Sequence, residues 1–295
     1  MLYFISVLFG VAEQIEVFIL NKKRIIRSKA IESISDDAIS RYMPYLSGNE
    51  IYDIVSGDCV GMGIFNSKTD EVLGLSVVRI LPRYIRIEKI FTVERYRKLD
   101  VATDLLLSIT DTPKEANLPI YVIVPEGEAD ENWMQKEGFT KKASDFTYVT
   151  IPLKAMDDLC PPEEKNVKAL INEKIPADRL KKFIKNAGYD EILQFPGFIE
   201  DVKTEDCIAL EKDGNLVAAL FFDELDDYIV VRWMHSIDDE YAEYLISALQ
   251  KVLLTEYRPE VEVRFLVANQ GGTELFRSLF EECKITKINL FSVRN

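Results

Sequence analysis

The sequence predicts an α/β protein of two tandem domains, each a mixed, mostly antiparallel sheet flanked by helices. Three observations lead there. Runs with the period of strands alternate with runs spaced for one apolar helix face. One stretch, Tyr84–Ile109, reads as a strand that passes through a short basic loop into a helix. Side-chain types in the first half also recur in the second at a constant separation of 144 positions.

The stretch Tyr84–Ile109 organises the first domain. Ile85, Ile87, Phe91 and Val93 alternate along a strand rich in β-branched and aromatic residues. Val101, Ala102, Leu105, Leu106 and Ile109 share one helix face. Arg95, Arg97 and Lys98 lie at the junction. The first turn of a helix leaves backbone N–H groups without intrahelical partners, and basic residues beside them favour an anion such as a phosphate.

The elements around it follow in order. Ser28–Ile34 predicts a strand, and Ser35-Asp36-Asp37 caps a helix running to about Leu46. Asn49–Val55 predicts a second short helix. Cys59–Phe65 and Val72–Ile80 make a hairpin about the polar turn Asn66–Asp70, and Leu81-Pro82-Arg83 turns into the central strand. Leu118–Val124 is a strand, Ala129–Lys136 a short helix closed by Glu137-Gly138-Phe139, and Thr147–Leu153 a last strand. The first domain therefore spans 1–156, with an apolar extension at 1–27. The polar, proline-bearing Asp157–Lys165 is a linker, and the second domain spans 166–295.

The repeat extends through this order of elements. Leu73-Gly74-Leu75 matches Val217-Ala218-Ala219, Tyr84 matches Tyr228, and Ile87 matches Val231. Leu105 falls on Leu249, Tyr121 on Phe265 and Ile123 on Val267. Asp58-Cys59-Val60 resembles Asp206-Cys207-Ile208, with four residues lost from the second hairpin. A repeat of this length is a duplicated domain. The junction chemistry is not duplicated. Arg97 becomes Tyr241, Asp100 becomes Tyr244 and Ala102 becomes Ile246, beside the acids Asp238, Asp239 and Glu240. Three acids at a helix start repel an anion.

Composition narrows the function. A length of 295 residues suits about two domains. The net charge of -14 disfavours a nucleic-acid partner and would attract a basic acceptor. Cys59, Cys160, Cys207 and Cys283 have no paired spacing, and His235 is the single histidine. No metal site is expected, and a reducing cytoplasmic location fits. The apolar run Leu2–Ala12 is too short to span a bilayer, which needs ~20 residues. It precedes the cluster Lys22, Lys23, Arg24, Arg27 and Lys29, whereas a signal peptide carries its charge first. No stable membrane insertion is expected, and the apolar segment is consistent with packing on the body or with a homodimer.

The junction resembles the acetyl-CoA-binding core of the GNAT N-acetyltransferase superfamily. That family ends its fourth strand with a pattern like V-Y-T-x-P-E-Y-R-G-K-G-Y-A. The same register here is Ile90-Phe91-Thr92-Val93-Glu94-Arg95-Tyr96-Arg97-Lys98-Leu99-Asp100-Val101-Ala102, and Thr92, Tyr96, Arg97 and Ala102 match in type and spacing. Gly138-Phe139 matches the Gly-Phe that ends the last helix of many such domains. The resemblance implies acetyl-CoA as co-substrate, held by Ile90, Phe91 and Thr92 at the strand end and by Arg97, Lys98, Leu99, Asp100, Val101, Ala102 and Thr103 around the pyrophosphate. It implies transfer of an acetyl group to a small-molecule or peptide amine by direct attack. The site would lie in the first domain, and the second copy would be degenerate.

Two departures matter. Asp100 stands where the family has its key glycine, and its carboxylate could instead cap the helix together with Thr103. Met134 stands where many members have a tyrosine acid, and the usual asparagine is absent near Gly127. Glu88 on the central strand is the candidate base, its structural alternative being a pair with Arg86 or a neighbouring strand. Glu126 and Glu128 follow the strand Leu118–Val124 and are read as a solvated loop, the alternative being a place near the acceptor cleft. Tyr121, Trp133, Trp233 and His235 are structural. The alternative function is a non-catalytic tandem module with a closed cofactor site. A transferase using an acyl carrier or aminoacyl-tRNA is a third reading, opposed for tRNA by the acidic charge.

Overall fold

The structure, a computed structural model, describes residues 28–97, 99–110, 118–126, 130–142, 146–159, 166–171, 175–194, 207–225, 228–255, 257–268 and 270–294. The apolar extension, Lys98, Gly127, Glu128, Cys160 and residues 160–165 of the expected linker lie outside these.

Along the chain come β1 (Lys29–Ser33), α1 (Ile39–Tyr42), α2 (Gly48–Ser56), β2 (Val60–Asn66), β3 (Glu71–Ile80), β4 (Ile85–Thr92), α3 (Val101–Thr110), β5 (Pro119–Pro125), α4 (Asp130–Lys136) and β6 (Thr140–Lys142). Then follow β7 (Phe146–Pro152), β8 (Val167–Ile171), α5 (Ala177–Ala187), β9 (Cys207–Lys212), β10 (Asn215–Glu224), β11 (Tyr228–Ser236), α6 (Asp239–Leu253), β12 (Glu262–Ala268), α7 (Gln270–Leu279) and β13 (Lys284–Arg294). The order of elements expected for the first half is present, with the short β6 added.

The chain forms two compact units, 1–123 with 132–141 and 291–295, and 124–131 with 142–290. The strand expected to close the first domain, β7, lies in the second unit. It pairs along its whole length with β12, from Phe146 opposite Ala268 to Pro152 opposite Glu262. Its inward Val149 and Ile151 are fully buried in that unit's core. Pairing partner, and not sequence adjacency, decides where a strand belongs, and local pattern carries no such information. Asp157, expected in the linker, accepts a hydrogen bond from Gln250 on α6.

In the first unit β1, β2, β3 and β4 are antiparallel neighbours and β5 joins β4 in parallel. Both faces of β3 are buried. On one face Val72, Leu75 and Val77 meet Ile34, Tyr42 and the α1–α2 side chains; on the other Leu73 meets Val101 and Leu105 of α3. The expected single helix from Asp36 to Leu46 is shorter. Pro44 lacks an N–H, so α1 ends at Tyr42 and a 3-10 turn, Met43–Tyr45, follows. α2 opens with a capping box, Ser47 and Glu50 bonding each other's backbone N–H, and ends at Gly57 in the left-handed region.

The second unit repeats this plan, with β8, β9, β10 and β11 antiparallel and β12 parallel to β11. The repeat reaches the irregularities. In the first unit Val77 opposes Lys89 and Val78 opposes Ile87, so Glu88 bulges out of β4. In the second Phe221 opposes Trp233 and Phe222 opposes Val231, so Arg232 bulges at the position 144 residues on. Two correspondences shift. Ile87 pairs with Val122 while Val231 pairs with Phe265, so Phe265 stands for Val122 and not for Tyr121. The second hairpin is two residues shorter, not four, because Ile64 opposes Gly74 while Leu210 opposes Ala218. The likeness around Cys59 and Cys207 is therefore out of register.

Candidate functional site

The site grows from the end of β4. Parallel pairing with β5 holds only from Ile85 opposite Ile120 to Ile87 opposite Val122. At Glu88 the bulge turns β4 away, and Glu88–Thr92 continue without β5. Glu88 is an exposed residue although its side chain is only 23% exposed, so much of what faces outward is main chain. A strand edge with free N–H and C=O groups can pair with an extended, amide-bearing ligand. Beside it the Thr92 hydroxyl is buried, with no hydrogen-bond partner among the described residues.

Between β4 and α3 the chain makes a 3-10 turn, Glu94–Tyr96, and then a tight corner. Tyr96 donates to the Glu71 carboxylate, and Arg95 is ion-paired with the same group. Arg95, counted in the sequence among three bases, is thus used internally. Arg97 is exposed, and its guanidinium has no ion pair or hydrogen bond with any described residue. Asp100 has φ of 56°, the left-handed conformation glycine adopts without cost. The chain therefore makes the corner that the motif's glycine implies, without the glycine.

The anticipated carboxylate cap does not form. The Asp100 carbonyl, not its side chain, accepts the first helical bond, from the Asp104 amide at 2.9 Å. Thr103 is half-buried, and its hydroxyl donates to Glu137 at 2.9 Å. The amides of Val101, Ala102 and Thr103 have no acceptor among the described residues. They open a ten-residue helix, so the corner presents free donors at the positive end of a helix dipole.

Three residues invisible to local reading hold this corner. Lys29, at the start of β1, donates to the Leu99 carbonyl at 2.5 Å and to Asp104 at 2.8 Å. Glu71 binds Tyr96 and Arg95 as above. Gly74 lets β3 pass close beneath, since a Cβ there would stand 2.5 Å from the Phe91 carbonyl and 2.7 Å from Val101 Cγ1. Each contact joins residues far apart in sequence. The one local signal was the lysine's place in a basic cluster.

Glu88 sits in a network of charges. Arg86 grips it as a fork, Nε to Oε1 and Nη2 to Oε2, both at 2.8 Å. Arg79 reaches it at 3.2 Å and also binds Asp53 of α2 at 2.5 Å. The pairing with Arg86 offered as the structural alternative is thus present. Nearby Cys59 is buried, and desolvation pushes its thiol up to about 12, which leaves it un-ionised and no nucleophile at neutral pH. Met134 is buried at 3% exposure and carries no proton to give. Trp233 is a core residue, and His235 packs against Phe183 and Trp233. No group of three or more metal-ligating side chains occurs among the described residues, and none of their helices is long and apolar enough to cross a membrane.

The second unit lacks this corner. Only Ile237 and Asp238 separate β11 from α6, where Val93–Asp100 separate β4 from α3. The helix starts six residues earlier in the repeat and takes up Tyr241 and Tyr244, the counterparts of Arg97 and Asp100. Asp238 caps it through the Glu240 amide, and its first turn is acidic, which suits a helix start and repels an anion.

Solved structures share this architecture. The chain is similar to the tandem GNAT protein of the clavulanic acid biosynthesis pathway, with a TM-score of 0.66 at 13% identity, over 90% of this chain and 98% of that one. It is similar to the GCN5-related glucosamine N-acetyltransferase region of a fungal multi-domain GH3 β-N-acetylglucosaminidase, with a TM-score of 0.62 at 10% identity over 90% of this chain, which spans 38% of that protein. A GCN5-related N-acetyltransferase from Sphaerobacter thermophilus gives 0.55 at 14% identity, over 80% and 81% of the two chains. No protein-family profile and no curated protein sequence matches. The fold is that of the GCN5-related N-acetyltransferases. Its arrangement is the tandem one.

Proposed function

We propose that the chain is an acetyl-CoA-dependent N-acetyltransferase whose donor site lies in the first unit. The observation that carries this reading is the corner Arg97–Thr103. It keeps the glycine-type backbone at Asp100 and free amides at Val101–Thr103, at the end of a bulged and split β4. Within a GNAT fold that combination suits a pantetheine arm along Glu88–Thr92 and a pyrophosphate at the helix start, with Arg97 free to pair with phosphate. When bound, acetyl-CoA supplies the activated acetyl group.

The chain's own residues do the rest. The open β4 edge orients the donor arm. An acceptor amine must shed a proton to become a nucleophile, and Glu88, fixed by Arg86 and Arg79, is the carboxylate assigned to receive it. The acceptor is a small-molecule or peptide amine drawn by the acidic surface. The second unit keeps the fold without the donor corner. A second reading, a non-catalytic binding module, is favoured by the Asp100 carboxylate at the anion site and by Met134 in place of an acid.

Calorimetric titration with acetyl-CoA tests both. Binding of one molecule per chain is expected, abolished by Arg97→Glu and untouched by Tyr241→Phe or Tyr244→Phe. In turnover with a screen of amines, Glu88→Gln should lower kcat with binding retained. No binding at millimolar acetyl-CoA would leave the binding module as the surviving reading.

A further inference from the structure

An edge-strand lysine ordinarily points into water. Lys29 instead bonds two groups on either side of the donor corner, the Leu99 carbonyl at 2.5 Å and Asp104 Oδ2 at 2.8 Å. The residues between those anchors are Asp100, held at positive φ, and Val101–Thr103, whose amides are free. Asp104 is itself buried, at 6% exposure, and its other oxygen has no partner among the described residues. Burial holds its carboxyl above the ordinary aspartate value, with the Asp100 carboxylate adding to the rise and the bond and charge of Lys29 offsetting part of it. An ionised carboxylate in that position depends on this one ammonium.

We propose that Lys29 is a positioning residue for the phosphate-facing corner. By tying Leu99 to Asp104 it holds Asp100 in the left-handed conformation and keeps the Val101–Thr103 amides presented to a pyrophosphate. The phosphate half of this inference rests on the function proposed above; the tie itself does not. Leucine or methionine would fill the space but could bond neither group. Arginine could bond both, though with altered geometry.

The test uses the full-length chain as wild type, Lys29→Met, Lys29→Arg and Lys29→Met/Asp104→Asn. In ligand-free protein, hydrogen exchange is read at the bonded amides of Leu99 and Asp104. At least tenfold faster exchange is expected there in Lys29→Met, with β10 and β11 unchanged and partial recovery in Lys29→Arg. The double variant removes the buried unpaired charge. It should regain overall stability yet keep the loosened corner, so poor folding of the single variant does not hide the result. Wild-type protection at Leu99 and Asp104 in the double variant overturns the proposal, as does a loss spread evenly over the first unit. Titration then adds the phosphate. Lys29→Met should bind acetyl-CoA at least tenfold more weakly and pantetheine, which has no pyrophosphate, as wild type does. Equal weakening of both ligands would also overturn it. If wild type binds no acetyl-CoA, the functional reading fails while exchange still decides the tie.

Discussion

Replacing Asp100 by glycine separates backbone strain from charge at the donor corner. Asp100 sits at φ of 56°, where a residue with a Cβ is destabilised by about 1 kcal/mol relative to glycine. Glycine relieves that, but it frees the unfolded chain by about 0.4–1 kcal/mol in the opposite sense. Stability should therefore move little, less than about 2 °C in Tm for a chain of this size. Ligand binding should move more. A carboxylate and a phosphate about 6 Å apart repel by about 0.7 kcal/mol in water and about 2.8 kcal/mol at the effective dielectric of a protein surface. A value between these, about 1.4 kcal/mol, is tenfold in Kd. Asp100→Gly should thus bind acetyl-CoA about tenfold more tightly by calorimetry, with the gain shrinking as salt is raised. Asp100→Asn keeps the Cβ and tolerates the left-handed conformation, so it should capture most of the gain. If both variants bind as wild type does, the carboxylate does not face the phosphate. If glycine weakens binding at unchanged Tm, the carboxylate helps to build the site, and the repulsion argument is wrong.

Two further outcomes follow from the same structure. Gly74→Ala forces a Cβ to 2.5 Å from the Phe91 carbonyl, which is backbone and cannot swing aside. It should cost about 1–3 kcal/mol in urea unfolding and weaken acetyl-CoA binding as well, because β4 must shift at Thr92; a stable variant with intact binding would show that the corner does not depend on this close passage. His235 has its pKa lowered by burial, so the folded state takes up a proton less readily than the unfolded chain. Its contribution is present above the ordinary histidine value and is lost as pH falls through the lowered one. Wild type should therefore lose more stability than His235→Gln between pH 7.5 and 5, measured by denaturant unfolding at each pH, and parallel losses would contradict the burial argument.

Much of the fold was legible because it is written in local periodicity. The strands from Val60 to Thr92, the helix at Val101 and the repeat of both all depend on spacing within a few residues, and the 144-residue offset matched even the bulges at Glu88 and Arg232. Arg97 and Ala102 carry a wholly local signature, the spacing of the motif itself. The capping box Ser47–Glu50 is likewise a local signature, and Pro44 ends a helix that the apolar pattern alone extends.

What the sequence alone determined was therefore the class of most of the long elements, the duplication, and the strand-to-helix stretch on which the proposed site is built. Tertiary structure decided the rest. It placed β7 with β12, paired Arg95 with Glu71, and gave Glu88 to two arginines. It also decided the conformation of Asp100, which local preference leaves divided between a carboxylate cap and a left-handed corner. The anchors that hold it are Lys29 and Gly74, and they reach it from other strands. Hydrogen-bond and packing partners separated by 17 or more residues leave no periodic trace in the chain, so only the assembled sheet brings them to one place.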